Sequence, residues 1–227
     1  MKSHQPIIVA VDGLSASGKG TIGKIIAEHL NFQYLDTGLL YRAVAHKFLT
    51  TKSVVSVDKS IFFAKNIKFE DLANPELRSE NCGNLASKLA EIKKVRQVLV
   101  LFQRNFPLKK TGAVLDGRDI GSVIFPDAKI KFFVTADLVV RAKRRKEQYK
   151  KIGQEYSIKD IAKKLEERDR RDKIRKASPL ICMPDAIVYD NSKGSFKRLN
   201  KEIIEIVEKK YKSLKLKIIN KRLGQTP

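Results

Sequence analysis

Short unbroken apolar runs alternate along this chain with longer stretches of helical periodicity. Ile7-Ile8-Val9-Ala10-Val11 and Ala113-Val114-Leu115 are such runs, and they suit strands buried on both faces, as in a parallel sheet. Tyr34-Leu35, Lys131-Phe132-Phe133-Val134 and Ala186-Ile187-Val188-Tyr189 read as further strands. Between them Ile22, Ile25, Ile26 and Leu30 recur at helical spacing. So do Val95, Leu99, Phe102 and Phe106, on a helix that should run from Ile92 to Pro107. Other helices are expected from Leu39, over about 56–64, after a capping Asp137, through a charged stretch to about Arg175, and over 198–212. Alternating strands and helices predict an α/β fold, a central parallel sheet in three α/β/α layers, with ligands at the C-terminal ends of the strands.

The segment after the first strand adds chemistry to this architecture. Asp12 leads into Gly13-Leu14-Ser15-Ala16-Ser17-Gly18-Lys19-Gly20-Thr21, a Gly-x4-Gly-Lys match set between strand and helix. In that context the match reads as a phosphate-binding loop of the P-loop NTPase fold. Gly13 and Gly18 permit backbone angles that turn successive N–H groups into one concavity. The helix N-terminus adds unpaired donors and partial positive charge. Lys19 would neutralise β- and γ-phosphate oxygens, and Thr21 adds a hydroxyl on the first turn. Gly20 stands where Ser or Thr usually follows the lysine, which argues against a direct hydroxyl–magnesium bond at that position.

Composition narrows the classes. A chain of 227 residues builds one core with room for a small insert. Residues 1 to 6 lead into an apolar run too short for a signal peptide, and no run is long enough to span a membrane. Cys82 and Cys182 have no metal-ligand spacing and are expected as reduced thiols in the cytoplasm. The net charge of +22 raises the alternative of a basic nucleic-acid-binding NTPase. Much of that excess is scattered lysine, however, and no tryptophan is present to help stack bases. The arginines cluster instead at Arg42, Arg96, Arg118, Arg141 to Arg145, Arg168 and Arg175. Arginines around a phosphate loop suit a kinase whose acceptor is itself a phosphate, because such an oxygen is anionic above a pKa of about 6 and needs no strong base. Taken singly, each has a plainer reading. The Arg/Asp-rich helix would be a solvated face, Arg118-Asp119 a turn pair, and Arg96 an exposed flank.

Four stretches together go further: GLSASGKGT at 13–21, DTGLLYR at 36–42, DGRDIGSVIFPD at 116–127 and ERDRRDKIRKASPL at 167–180. In this order and spacing the chain resembles the bacterial cytidylate kinases, from about Ile7 to its last helix. The resemblance implies phosphorylation of CMP and dCMP to CDP and dCDP by ATP with Mg2+. It implies a cytoplasmic monomer with no nucleic-acid or membrane partner and no side chain assigned as a direct metal ligand. One domain would span 1–227, with a monophosphate-binding insert at about 38–96 and a helical lid at about 141–175. By motif, residues 13–21 hold ATP, and Lys19, Arg118, Arg141, Arg144 and Arg145 are catalytic. Thr37, Arg42, Ser87, Arg96, Asp119, Arg168, Asp172 and Arg175 would bind the monophosphate. Related kinases acting on UMP, AMP or shikimate are the alternative.

Overall fold

The computed structural model describes residues 6–109, 111–193 and 195–222. Of the N-terminal stretch read above as no signal peptide, only Pro6 lies within them. Five strands, β1 (Ile7–Gly13), β2 (Gln33–Asp36), β3 (Gly112–Gly117), β4 (Ile130–Thr135) and β5 (Ile187–Asp190), form one sheet in the order β2-β3-β1-β4-β5. Every pairing is parallel, with Val9 beside Val114 and Val11 beside Phe132.

The continuous apolar runs make sense once both faces are covered. Side chains alternate across a strand, so Ala10, Ala113 and Leu115 face one side while Val9, Val11, Val114 and Phe132 face the other. On the first side lie α2 (Gly38–Thr50), α3 (Val57–Lys65), α4 (Glu80–Leu89) and α5 (Lys93–Asn105). On the second lie α1 (Lys19–Leu30) and α8 (Phe196–Arg222), whose Leu199, Ile203 and Val207 complete that core. The remaining helices, α6 (Leu138–Lys150) and α7 (Ile158–Ile174), pack on each other through a small cluster of Ala142, Tyr149, Ile161 and Leu165. Between β2 and β3 the described residues form helices and connecting loops with no strand, including 3-10 turns at Glu70–Ala73 and Pro75–Arg78.

Several boundaries differ from expectation. The α5 helix ends at Asn105 and a 3-10 turn, Phe106–Lys109, carries Pro107; proline cannot donate to a continuing helical ladder. The last helix starts earlier and runs longer than 198–212. Asp137 occupies the N-cap position of α6 but its side chain accepts no capping bond; its N–H donates to Ser192 Oγ instead, at 2.8 Å. Strand β3 continues through Asp116 and Gly117, so Asp116 belongs to the sheet and not to the turn after it. No described helix is long and apolar enough to cross a membrane.

Candidate active site

The C-terminal ends of β1, β2 and β3 open into a cleft of about 830 Å³. Its centre is the loop after β1. Gly13 has φ 145°, and a Cβ there would sit 2.0 Å from Val134 O, so the loop lies directly against β4. The next N–H, of Leu14, donates to that same carbonyl at 3.1 Å. Gly18 turns the chain into α1 with φ 98°. Lys19 opens the helix, buried, its Nζ donating to Leu14 O at 3.3 Å. Burial holds its pKa below the ordinary lysine range, with Arg118 adding to the effect. An anion at the loop would relieve both causes.

Of the loop residues, Ser15, Ala16, Gly18, Lys19, Gly20 and Thr21 line the cleft, while Gly13, Leu14 and Ser17 lie behind it. Thr37, Arg42, Ser87, Arg96, Asp119, Arg168, Asp172 and Arg175 all line it as well. The arginines among them are far from solvated flanks. Arg96 is 4% exposed, its guanidinium bonded to Asp119 and lying 5.6 Å from the Tyr41 ring centroid. Arg118 does not pair with its neighbour Asp119. It donates to Asp172 Oδ2 at 2.8 Å, while Arg175 donates to Asp172 Oδ1 at 3.1 Å. Despite burial, Arg118, Arg168 and Arg175 hold the Asp172 carboxyl below its usual range.

Arg141 stands apart from the other expected catalytic residues, because it does not line the cleft. Its guanidinium is buried against Asp169, Ala136 O and Ser15 O, the last at 3.1 Å. Asp169 also accepts from Ser15 N–H at 3.0 Å. This pair therefore latches α6 and α7 onto the phosphate loop. Arg144 does face the cleft and donates to Ser17 O at 3.3 Å and Asn191 O at 2.7 Å.

Arg42, Arg145 and Arg168 form a different group. Arg42 donates to the carbonyls of Leu77 and Ser79 at 2.6 and 3.2 Å. Among the described residues none of the three has a carboxylate in ion-pair contact. Burial, then the charge of Arg42, lowers Arg145 and Arg168 to about 9. Other polar atoms in the cleft lack partners too. Ser87 Oγ, Tyr41 Oη, Arg96 Nε, Arg168 Nε and Arg175 Nη2 are buried with no hydrogen bond. Such groups are costly to leave unsatisfied, so their convergence marks the place of a polar, anionic ligand.

Sequence reasoning missed several residues. Asp36 and Asp116 close β2 and β3 beside Lys19 and line the cleft. Burial, then the nearby Asp36, pushes the Asp116 carboxyl up. Both stood in the quoted motifs at strand ends, which was a usable signal. Asp12 accepts from the N–H groups of Ile120 and Gly121 at 2.9 and 2.7 Å, tying β1 to the π-helical turn after Asp119. Asn191, just after β5, donates to Ser17 O at 2.8 Å. Tyr34, whose hydroxyl bonds Asp116, gave no sequence signal.

Comparison with known proteins agrees with this geometry. The family model described as cytidylate kinase matches residues 9–209. A cytidylate kinase of Bartonella henselae is 45% identical over 192 residues, covering 84% of this chain and 89% of the relative. One from Rhodopseudomonas palustris is 44% identical over 203 residues, covering 89% and 96%. Among solved structures, an uncharacterized protein from Eubacterium ventriosum superposes with a TM-score of 0.50 at 14% identity, covering 89% of this chain and 98% of its own. That last likeness concerns the fold alone.

Proposed function

The chain belongs to the cytidylate kinase family, and from that premise we propose how its cleft works. The enzyme phosphorylates CMP and dCMP with ATP. One observation carries the residue assignment: Arg42, Arg145 and Arg168 line the cleft of the phosphate loop, and among the described residues none has a carboxylate in ion-pair contact. One buried and two half-buried cations with no ion-pair partner are a receptor for phosphate. The donor polyphosphate lies in the loop from Gly13 to Thr21, where Lys19 meets its outer oxygens. The acceptor phosphate is held by Arg42 and Arg168, and Arg145 reaches the transferring phosphoryl group from α6. The acceptor oxygen is already anionic, so catalysis is positioning and charge stabilisation with no general base.

The base lies at the Arg96–Asp119 pair. Cytosine presents an exocyclic amine beside the acceptors N3 and O2. Asp119 accepts from the amine, and the partnerless donors Arg96 Nε and Ser87 Oγ serve the acceptors. Uracil would turn a carbonyl toward the carboxylate. The sugar falls near Thr37, Asp172 and Arg175. Arg118 holds Asp172, and Arg144 faces the loop. The helical segment of about 141–175 closes over the loop through Arg141 and Asp169 and excludes water, which would otherwise hydrolyse ATP.

Mg2+ fits the same cleft. Asp36 and Asp116 are the carboxylates beside Lys19; burial, then the charge of Asp36, raises the Asp116 carboxyl, and a divalent cation would favour its charged form. These two, with the Thr21 hydroxyl, would hold it alongside the nucleotide. Bound there, the cation neutralises charge on the phosphates. The enzyme's nucleotide substrates support a cytoplasmic location. The test is kcat/KM for CMP, dCMP, UMP and AMP with ATP–Mg2+. CMP should exceed UMP by at least about tenfold, since one mismatched buried polar group costs about 1–3 kcal/mol. Parity with UMP would overturn the placement of the base.

A further inference from the structure

Three glycines in the phosphate loop are glycine for different reasons. Gly13 and Gly18 adopt positive φ, which side chains rarely tolerate. Gly20 lies in the first turn of α1 and is not among the positive-φ glycines, so its backbone makes no such demand. Space does. A Cβ at position 20 would lie 3.3 Å from the Tyr34 hydroxyl and 3.4 Å from Asp116 Oδ2. Tyr34 arrives from β2, its ring pressed against α1 so closely that a Cβ at Gly23 would meet Cε2 at 2.8 Å. Its hydroxyl donates to Asp116 Oδ2. The space that a Ser or Thr side chain would enter after the lysine is therefore already filled by a hydroxyl from another strand.

We propose that Tyr34 is a positioning residue for phosphoryl transfer, its hydroxyl taking the space left by Gly20 and fixing the Asp116 carboxylate at the metal–phosphate edge of the loop. This rests on the Mg2+ reading given above. The chemistry is consistent with a permanent donor. A phenol hydroxyl has one proton to donate, and Asp116 Oδ2 accepts it. Its hydrogen bond occupies Oδ2 of Asp116 and leaves Oδ1 for the cation or its water shell. Gly20 and Tyr34 are then one device: the glycine makes room, and the tyrosine returns the hydroxyl.

The device predicts a rescue. Full-length wild type, Tyr34→Phe, Gly20→Ser and the double variant would be titrated with Mn2+ at saturating ADP, reading free Mn2+ by electron paramagnetic resonance. Tyr34→Phe keeps the ring packed but should weaken Mn2+ about 10–100-fold, the usual loss when a partner of a metal-holding group is removed. ADP affinity without metal should hold. Gly20→Ser alone should also weaken Mn2+, because the new side chain crowds the Tyr34 hydroxyl. The double variant should return to within about threefold of wild type, a coupling that independent sites do not show. Across the four proteins kcat should follow the same order while KM for CMP stays level. Equal Mn2+ affinity in wild type and Tyr34→Phe would overturn the proposal, as would a double variant whose losses simply add. A wild type that holds Mn2+ no better than free ADP does would overturn the metal reading itself, and the proposal with it.

Discussion

Arg96, Arg118, Arg141 and Arg175 each meet a carboxylate, whereas Arg42, Arg145 and Arg168 meet none among the described residues. All but Arg141 line one cleft, and all carry the same side chain, yet the two groups answer to different constraints. The paired arginines have their charge met by Asp119, Asp172 and Asp169, although Arg96 Nε and Arg175 Nη2 each keep a donor without a partner. The unpaired arginines are unfinished. Their lowered pKa values record the cost of burying like charges together, a cost that an anionic substrate offsets on binding. Pairing thus separates arginines whose charge the protein already meets from arginines whose charge is left for a phosphate.

Removing a carboxylate from the paired group should have the largest effect. Asp172→Ala leaves Arg118 and Arg175 buried without their common acceptor, and breaking a buried pair by removing one partner costs about 3–5 kcal/mol. Chemical denaturation should show that loss, and Asp172→Asn should recover part of it by keeping hydrogen bonds. A loss below about 1 kcal/mol, the value of an exposed pair, would erase the distinction between the groups.

The unpaired group should behave in the opposite sense. Arg168→Met should lower kcat about 10²–10³-fold, as expected when a preorganised charge on the reacting group is lost. The empty protein should nonetheless melt at a higher temperature than wild type. Arg168 stays protonated below about 9, so its penalty is constant through neutral pH and lifts only when the charge is removed. A lower melting temperature would show that Arg168 supports the fold after all.

The same contrast explains what could be read from sequence. The sheet was legible because β1 and β3 are apolar on both faces, which few other elements produce. The loop was legible because glycines at 13 and 18 and a lysine at 19 are tied to one backbone geometry. The arginine positions were legible only as members of motifs. Nothing local tells that Arg96 is buried on α5 or that Arg118 skips Asp119 for Asp172, since both depend on chain segments more than twenty and fifty positions away. Arg141 illustrates the cost: one more arginine on α6, it bonds Asp169 and Ser15 O and does not line the cleft. Asp12 and Tyr34 were missed because their partners, the Ile120–Gly121 backbone and Asp116, are set by sheet order.

Asp12 extends the comparison to acids. Asp172 is held low by arginines, but Asp12 meets only backbone N–H groups, and burial pushes it up from 3.8 to about 6, against those two N–H groups. A raised carboxyl means that the folded protein binds more protons than the unfolded one. Its contribution is therefore fully present below about 3.8 and lost as pH rises through about 6. A shift of this size corresponds to about 3 kcal/mol. Between about pH 3.5 and 7 the stability of Asp12→Asn relative to wild type should rise by that order. Parallel pH profiles would mean that Asp12 is neutralised in another way.

The finest distinction is between the two ends of one substrate. Cytidine carries the base without the phosphate, so it should engage the paired Arg96–Asp119 wall but not the unpaired arginines. At ten times its Kd, CMP should stabilise the wild-type protein by about 1.4 kcal/mol. If Arg145→Met weakens CMP tenfold, the same concentration should stabilise that variant by only about 0.4 kcal/mol. Cytidine, compared at its own tenfold excess, should stabilise wild type and Arg145→Met alike. Asp119→Ala should show the reverse, losing cytidine and CMP together, because it acts on the part they share. Melting each protein with each ligand gives all the comparisons. An equal loss of cytidine stabilisation in Arg145→Met would place that arginine in the base pocket or the fold, and the division between paired and unpaired arginines would no longer follow the division between base and phosphate.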